Sequence, residues 1–290
     1  MNTPQRKPEW LKNTQTRNQD FHQVSQLVKN LHLHTVCEEA NCPNRTECYS
    51  HRTATFLILG AICTRKCKFC NVSKGTPLAL DPAEPFHLAQ ACKSLNLKHA
   101  VITSVTRDDL PDGGAGQFAQ CIQEIRQLHP SCTIEVLTPD FSGSSEAIQV
   151  VIDAHPEVYN HNIETVARLY PLVRPIADYH RSLKLLAQVK QSDPFILSKS
   201  GIMVGLGETA EEVEQTLQDL HAHGCDALTI GQYLPPSKEH YPLAEYITPA
   251  QFEVYRQMAL HIGFKQVASS PLTRSSYHAS LMLQENHKED

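Results

Sequence analysis

From about residue 54 onward, short runs rich in β-branched residues alternate with amphipathic stretches. Such alternation is typical of repeated strand–helix units, in which parallel strands form a sheet and helices cover it. The candidate strands span residues 54–59, 100–105, 133–137, 158–163, 196–204 and 227–230. Six consecutive units predict an α/β fold, a partial (βα)6 TIM-like barrel with its chemistry at the C-terminal ends of the strands.

The segments between these strands predict the helices of the repeat. They lie near residues 84–96, 115–128, 144–154, 180–190, 209–223 and 249–262. The fifth has the clearest boundaries, because Thr209 and Glu212 form a capping-box pattern and Gly224 is placed to end the helix.

The two ends of the chain do not follow the repeat. Residues 1–53 carry their own cysteines and predict an N-terminal extension, residues 54–264 the barrel, and residues 265–290 a polar C-terminal extension. A length of 290 residues is compatible with one α/β barrel plus such arms.

Charge and cysteine content narrow the classes of partner. The net charge is −5, with no basic stripe for nucleic acid and no polybasic patch for a membrane surface. The first twenty residues lack the apolar segment of a secretory signal, and the best apolar run, residues 54–63, is too short to span a bilayer. We therefore expect a cytoplasmic protein without nucleic-acid or membrane partners, whose clustered cysteines, among ten in all, bind metal or do redox chemistry.

Three cysteines directly follow the first predicted strand, in the stretch CTRKCKFC. Cys63, Cys67 and Cys70 have the spacing C-x3-C-x2-C and would occupy the first strand-to-helix loop, at the catalytic rim. A structural zinc site wants four protein ligands. A 4Fe–4S cubane takes one thiolate per iron, so three cysteines leave one iron open to a small molecule. The spacing therefore favours a cluster with an open iron.

A second triad precedes the barrel in the stretch VCEEANCPNRTEC. Cys37, Cys42 and Cys48 are spaced too widely for paired zinc knuckles, although His34 and His51 keep zinc open as an alternative.

The first cysteine cluster resembles that of the radical S-adenosylmethionine (radical SAM) enzymes. This resemblance implies the radical SAM type of partial barrel and a 4Fe–4S cluster. It also implies that S-adenosylmethionine chelates the open iron and is cleaved to a 5′-deoxyadenosyl radical. Phe69 occupies the family's usual aromatic position, near the adenine. Its alternative role is that of a core residue.

The second triad, C-x4-C-x5-C, resembles the auxiliary cluster motif of lipoyl synthases, which implies a second 4Fe–4S cluster. Further matching segments are KPEWL (7–11), ATFLILG (54–60), EVLTPDF (135–141), NHNIETV (160–166), GIMVGLGE (201–208), GQYLPPS (231–237) and RSSYHA (274–279). In that family a serine of the R-S-S-Y motif is the fourth cluster ligand, here Ser275 or, as we prefer, Ser276.

Several residues are candidates for binding S-adenosylmethionine. The radical SAM resemblance implies this role for the Gly-rich element, through Gly205 and Gly207 or their neighbours. Asn162 and Glu164 lie at the end of the fourth strand and could hold ribose hydroxyls. The methionine amino group would lie near the end of the second strand, which carries a set of polar candidates that the sequence does not separate: Ser104, Thr106 and Asp108.

The lipoyl synthase resemblance implies a reaction and its partners. Two sulfur atoms would be inserted at C6 and C8 of a protein-bound N6-octanoyl-lysine, giving lipoyl-lysine, with one adenosyl radical per hydrogen removed and the auxiliary cluster as sulfur donor. The substrate would be an octanoylated lipoyl carrier domain of the glycine cleavage H protein or a 2-oxoacid dehydrogenase E2. Flavodoxin or ferredoxin would donate electrons, and an iron–sulfur cluster carrier would serve the clusters.

Two other functions remain open from the residues alone. One is a radical dehydrogenase or peptide-modifying enzyme whose auxiliary cluster survives turnover. The other is an iron–sulfur scaffold or electron carrier, which would not cleave S-adenosylmethionine.

Overall fold

The computed structural model describes residues 6–12 and 15–276 of the chain. Within these ranges the strands are β1 (His34–Thr35), β2 (Thr55–Ile58), β3 (Ile62–Cys63), β4 (Ser73–Lys74), β5 (His99–Ser104), β6 (Thr133–Leu137), β7 (Val158–Asn160), β8 (Leu197–Val204), β9 (Ala227–Gln232) and β10 (Gln266–Ser270). The α-helices are α1 (Gln19–Asn30), α2 (Val36–Glu39), α3 (Arg45–Ser50), α4 (Glu84–Ser94), α5 (Ala115–Leu128), α6 (Ser145–Ile152), α7 (Tyr170–Val173), α8 (Tyr179–Ser192), α9 (Ala210–Ala222) and α10 (Pro249–Ile262). Short 3-10 helices span Glu9–Leu11, Phe141–Gly143 and Ala167–Leu169.

The main sheet has the strand order β1-β2-β5-β6-β7-β8-β9-β10. From β2 onward every neighbouring pair is parallel, whereas β1 runs antiparallel to β2. Helices connect the successive parallel strands, as right-handed crossovers in such sheets require. The six strand–helix units predicted from the sequence are confirmed.

The structure differs from the prediction at the sheet's edges. β10, which lies in the predicted polar extension, pairs in parallel with β9 and lengthens the sheet by one strand. Its sequence QVASS lacks the apolar run of the inner strands, and only its first residue is fully buried, because an edge strand is covered on fewer sides. The predicted boundaries at residues 53/54 and 264/265 stay predictions.

The predicted helix signals are present. α9 begins at a capping box, in which the Thr209 side chain accepts from the Glu212 amide and the Glu212 carboxylate accepts from the Thr209 amide. Gly224 follows the helix with a φ of +80°, a conformation that favours glycine. The apolar faces of the barrel helices, α4 to α10, pack on the sheet in one large core. No helix among the described residues is long and apolar enough to cross a membrane.

The N-terminal arm is held at the β2 side of the barrel. β1 pairs with β2, and a buried hydrogen bond of 2.7 Å joins Thr35 to Tyr49. Asn44, which lies between two cysteines of this arm, donates from Nδ2 to the carbonyl oxygen of Leu272 at 2.8 Å. The N-terminal arm and the C-terminal segment are therefore in direct contact.

Candidate active site

A cavity of ≈ 750 Å³ lies at the C-terminal ends of the barrel strands. Both cysteine triads and both candidate serines line it: Cys37, Cys42, Cys48, Cys63, Cys67, Cys70, Ser275 and Ser276. Residues more than 200 positions apart in the sequence thus line one cavity. This shared cavity is the arrangement that two cooperating clusters would need.

The first triad is fixed by the ends of β2 and β5. Cys63 lies on the short strand β3, and its sulfur accepts hydrogen bonds from the amides of Thr106 (3.3 Å) and Arg65 (3.4 Å). The Lys68 amide, between the other two cysteines, donates to the Val173 carbonyl at 2.9 Å. Amide donors directed at a sulfur stabilise its thiolate form.

Arg65 anchors this loop from inside the protein. Its side chain is 4% exposed and forms a bidentate ion pair with Asp108 (2.8 and 2.7 Å) and a further contact of 2.7 Å with Asp140. Burial alone would raise the pKa of Asp140, but hydrogen bonding to Arg65 and its charge outweigh burial and hold that pKa well below its usual range. The loop that carries the first triad is therefore pinned to the ends of β5 and β6.

The second triad is formed by the short helices of the N-terminal arm. Cys37 lies in α2, Cys48 in α3 and Cys42 between them, where the Cys42 amide donates to the Cys37 carbonyl at 3.2 Å. Burial, together with the nearby Cys42 and Cys48, raises the pKa of Cys37 to about 12. Burial likewise raises the pKa of Cys48 to about 12. These three thiols are close enough to influence one another electrostatically.

The two tail serines bond to different sides of the cavity. Ser276 Oγ accepts a hydrogen bond from the Thr55 hydroxyl at 2.7 Å, and the Thr55 backbone amide also contacts the Cys37 sulfur. Ser275 Oγ instead accepts from Asn162 Nδ2 at 2.7 Å, on the β7 side of the cavity. This placement favours Ser276 over Ser275 as a partner of the second triad.

Gly231 lets the tail reach this position. A Cβ at residue 231 would lie 2.2 Å from the carbonyl oxygen of Thr273, which is closer than real Cβ contacts allow. Beyond it, the half-buried Arg274 lies near Cys42. Tyr277, His278 and Ala279 of the RSSYHA segment lie outside the described residues.

The loops of the two triads also contact each other directly. Asn71, which follows Cys70, donates from Nδ2 to the carbonyl oxygen of Glu39 at 3.1 Å. Glu39 lies between Cys37 and Cys42, and its carboxylate lies 3.1 Å from Nδ1 of His34. His34 is thus engaged away from the sulfurs.

The donor set suits iron–sulfur clusters. Each triad offers three soft sulfur ligands at the cavity wall, and burial keeps the thiol of Cys70 protonated by raising its pKa to about 11. Metal binding would displace such protons and compensate the buried thiolate charge. No three His, Cys, Asp or Glu side chains in the described ranges are close enough to hold one single metal ion.

Five of the eight candidate S-adenosylmethionine contacts line the cavity: Phe69, Ser104, Thr106, Asn162 and Glu164. Asp108 does not line it and is paired with Arg65. Ser104 Oγ and Asn162 Oδ1 are buried without a hydrogen-bond partner among the described residues, so a polar ligand could satisfy them. Glu164 has a φ of +68°, rare for a residue with a Cβ, and its side chain accepts from Asn162 at 3.1 Å.

Gly205 and Gly207 are not among the residues that line the cavity. The amides of Gly205 and Leu206 donate to the carboxylate of Glu208, and a Cβ at Gly205 would clash with the side chain of Gln232 at 2.3 Å. The Gly-rich turn therefore packs against its own loop and β9. The cavity wall is formed instead by the preceding residues of β8, Gly201 to Met203.

Sequence reasoning did not single out His161 as a site residue. Its Nε2 has no hydrogen-bond partner among the described residues, while Nδ1 lies 2.8 Å from the Thr138 carbonyl. Burial and the nearby charge of Arg174 lower the pKa of His161 to about 4, so the ring is neutral at pH 7. The NHN sequence at the end of a strand was the only available signal.

Comparison with known proteins identifies the family. Residues 57–220 match the radical SAM superfamily, and residues 2–42 match the N-terminal domain of lipoyl synthase of the radical SAM family. A lipoyl synthase of Caldanaerobacter subterraneus subsp. tengcongensis is 57% identical over 96% of this chain and 97% of its own length. One of Alkaliphilus metalliredigens is 55% identical over 98% of each chain. The chain belongs to the lipoyl synthase family.

Solved structures agree with this lipoyl synthase chain in fold. Methylornithine synthase aligns with a TM-score of 0.53 and 14% identity over 92% of this chain and 86% of that one. SuiB of Streptococcus suis, solved with S-adenosylmethionine, aligns with a TM-score of 0.57 and 10% identity over 78% of this chain and 54% of that one. The predicted radical SAM fold class and the predicted family are confirmed. Membership of the radical SAM superfamily implies a 4Fe–4S cluster and S-adenosylmethionine.

Proposed function

We propose that this member of the lipoyl synthase family inserts two sulfur atoms, at C6 and C8 of an octanoyl chain carried on a lysine of a lipoyl carrier domain. The observation that carries the proposal is the single cavity lined by both triads and the tail serines. An acyl chain in this space can reach both groups without leaving the protein, which positioned reactions require.

The proposed ligand sets follow from the contacts around the cavity. Cys63, Cys67 and Cys70 would hold the first 4Fe–4S cluster, whose open iron binds S-adenosylmethionine, while a second cluster would be held by Cys37, Cys42, Cys48 and Ser276. When bound, these groups supply the 5′-deoxyadenosyl radicals that remove hydrogen from C6 and C8, and the sulfur that replaces it.

The protein's own part at the first triad is to hold sulfurs and exclude water. Two backbone amides donate to Cys63, and Arg65 fixes the loop between Cys63 and Cys67. Arg174 is buried beside Cys67, with its guanidinium donating to the carbonyl oxygens of Asn162 and Ile163. A fixed cation near a thiolate stabilises the negative charge that binds iron.

At the second triad the chain would provide one ligand unlike the other three. A hydroxyl oxygen is a harder and weaker partner for cluster iron than a thiolate. Thr55 donates to Ser276 Oγ at 2.7 Å, and a donor at this distance stabilises the deprotonated serine. The bond between Ser276 and the cluster iron would thus be strong enough to form, yet weak enough to break during sulfur transfer.

The proposal extends to partners. The octanoylated carrier would be the H protein or an E2 lipoyl domain, and a cluster carrier would renew the consumed cluster. Lys66 and Lys68 flank Cys67 on the exposed side of the first loop and form no ion pair among the described residues. Exposed lysines there, on a chain of net charge −5, support an acidic electron donor such as flavodoxin or ferredoxin.

The deciding experiment uses anaerobically reconstituted protein with reductant, S-adenosylmethionine and an octanoylated lipoyl-domain peptide. We expect the peptide to gain two sulfurs as protein-bound cluster iron is lost. Formation of 5′-deoxyadenosine without sulfur transfer would instead support an enzyme whose auxiliary cluster survives turnover. About one zinc per chain without labile sulfide would support a structural zinc site.

A further inference from the structure

One part of the cavity wall is apolar but is not packed into either hydrophobic cluster of the described residues. Val101 on β5 is only 5% exposed, yet it joins neither of the apolar clusters found in the described residues. Leu137 on β6 is also absent from both clusters, and both side chains line the cavity. Thr103 lies between them and donates its hydroxyl to the Leu137 carbonyl at 2.8 Å, so its polar atom is already satisfied.

This apolar wall lies between the two cysteine triads. Val101 pairs in register with Thr55, the residue that contacts both Cys37 and Ser276. Just beyond the other end of β5, the Thr106 amide donates to the Cys63 sulfur. β5 thus passes from one triad to the other, and Val101 is the apolar residue between Thr103 and His99 on its inward face.

Below Val101, a network of polar side chains around His99 forms the floor of the cavity. His99 precedes Val101 by two residues and faces the same side of the sheet. Its side chain is 4% exposed, with Nδ1 2.8 Å from Thr133 Oγ1 and Nε2 3.4 Å from a Glu135 carboxylate oxygen.

The network beneath His99 is anchored by a buried ion pair. The same Glu135 carboxylate accepts from Lys199 at 2.9 and 3.1 Å and from Asn160 at 3.0 Å, and each of these residues is almost fully buried. An apolar chain that entered this layer would separate buried charges, which is strongly unfavourable. The floor is therefore closed to hydrocarbon.

We propose that the inner face of β5 and β6 receives the apolar end of the acyl chain, and that Val101 above His99 limits the length of chain that the enzyme accepts. This inference rests on the proposed function and adds its chain-length specificity. Apolar area on Val101 and Leu137 favours a hydrocarbon, and the fixed floor stops chains that extend beyond C8.

The test compares carrier peptides with octanoyl and decanoyl chains, because decanoyl keeps C6 and C8 and adds two carbons that must lie deeper. Reconstituted wild-type protein should convert octanoyl at least about 10-fold better than decanoyl. Val101→Ala should raise the decanoyl-to-octanoyl ratio by about 10-fold, since it removes volume directly above the floor. Val101→Phe should shift 5′-deoxyadenosine formation towards a hexanoyl peptide.

Val150→Ala is the matched control, because Val150 is an exposed valine on α6. Its decanoyl-to-octanoyl conversion ratio should equal that of the wild type. Leu137→Ala should change the ratio in the same direction as Val101→Ala and serves if the latter fails to fold. Unchanged ratios in folded, cluster-loaded Val101 and Leu137 variants would overturn the inference. Failure of the wild type to thiolate octanoyl would instead overturn the proposed function.

Discussion

Thr55 and Ser276 are separated by 220 residues of sequence, and their hydroxyl oxygens lie 2.7 Å apart. Thr55 begins β2, the first strand of the barrel, whereas Ser276 is the last described residue of the C-terminal segment. This hydrogen bond brings the tail to the second triad, because the same threonine contacts Cys37 through its backbone amide.

The two tail serines should differ in their effect on sulfur insertion. Ser276→Ala removes the oxygen that faces the second triad, so sulfur insertion should fall by more than about 100-fold while S-adenosylmethionine cleavage continues. Ser275→Ala is the matched control and should keep sulfur insertion within about 10-fold of wild type. Mass spectrometry of the peptide and assay of 5′-deoxyadenosine separate the two activities. The opposite order of effects would reassign the ligand to Ser275.

Thr55 should act through Ser276. Thr55→Val keeps the shape of the side chain but removes the hydroxyl donor, and we expect sulfur insertion to fall by about 10-fold. Thr55→Ser restores the donor and should recover most of this loss. The iron content of the second cluster, measured in a variant whose first triad is replaced by alanine, checks the cause. Equal iron retention in Thr55→Val and wild type would contradict it.

Replacing Arg65 should lower the free energy of unfolding of the chain. Arg65→Gln leaves the buried Asp140 carboxylate without its main partner, which costs about 3–5 kcal/mol of unfolding free energy. Arg65→Lys keeps the charge but cannot form the bidentate pair with Asp108, so its loss should be intermediate. Urea unfolding of the metal-free chain at pH 7 measures all three proteins, and equal stabilities would show that the ion pairs contribute nothing.

The same ion pair predicts an acid dependence. Arg65 makes the pKa of Asp140 lower in the folded chain than in the unfolded chain. The resulting stability is complete above about pH 5 and is lost as the pH falls through about 4 and below, because the unfolded chain takes up the proton first. The wild-type free energy of unfolding should therefore decrease from pH 5 to pH 3. That decrease should be smaller in Arg65→Gln, and an identical slope would exclude Asp140 as its source.

The capping box of α9 gives a prediction that concerns stability alone. Thr209→Ala removes the acceptor for the Glu212 amide and should lower the free energy of unfolding by about 1 kcal/mol. Thr209→Ser keeps the oxygen and should stay within a few tenths of a kcal/mol of wild type. Urea unfolding followed by circular dichroism measures both. Sulfur insertion should be unaffected, since α9 contributes no residue to the cavity wall.

Much of the fold was predictable because the signals are local. The six inner strands were found from apolar runs of β-branched residues, and α5 was predicted with its observed bounds, Ala115–Leu128. β10 was missed because an edge strand needs little apolar character. The Gly-rich turn was predicted to face the ligand, but Glu208 already binds the amides of Gly205 and Leu206, a local competition that the motif does not show.

The sequence by itself determined the strand–helix repeat and the family, and it predicted six cysteine ligands, since periodicity, spacing and motif are properties of neighbouring residues. Only the tertiary structure decided which residues share the cavity. The order of strands in the sheet brings Thr55 beside Val101, and the contact of Asn44 with Leu272 brings the tail to the N-terminal arm. Contacts between residues far apart in the chain depend on how complete elements pack, and no local pattern encodes them.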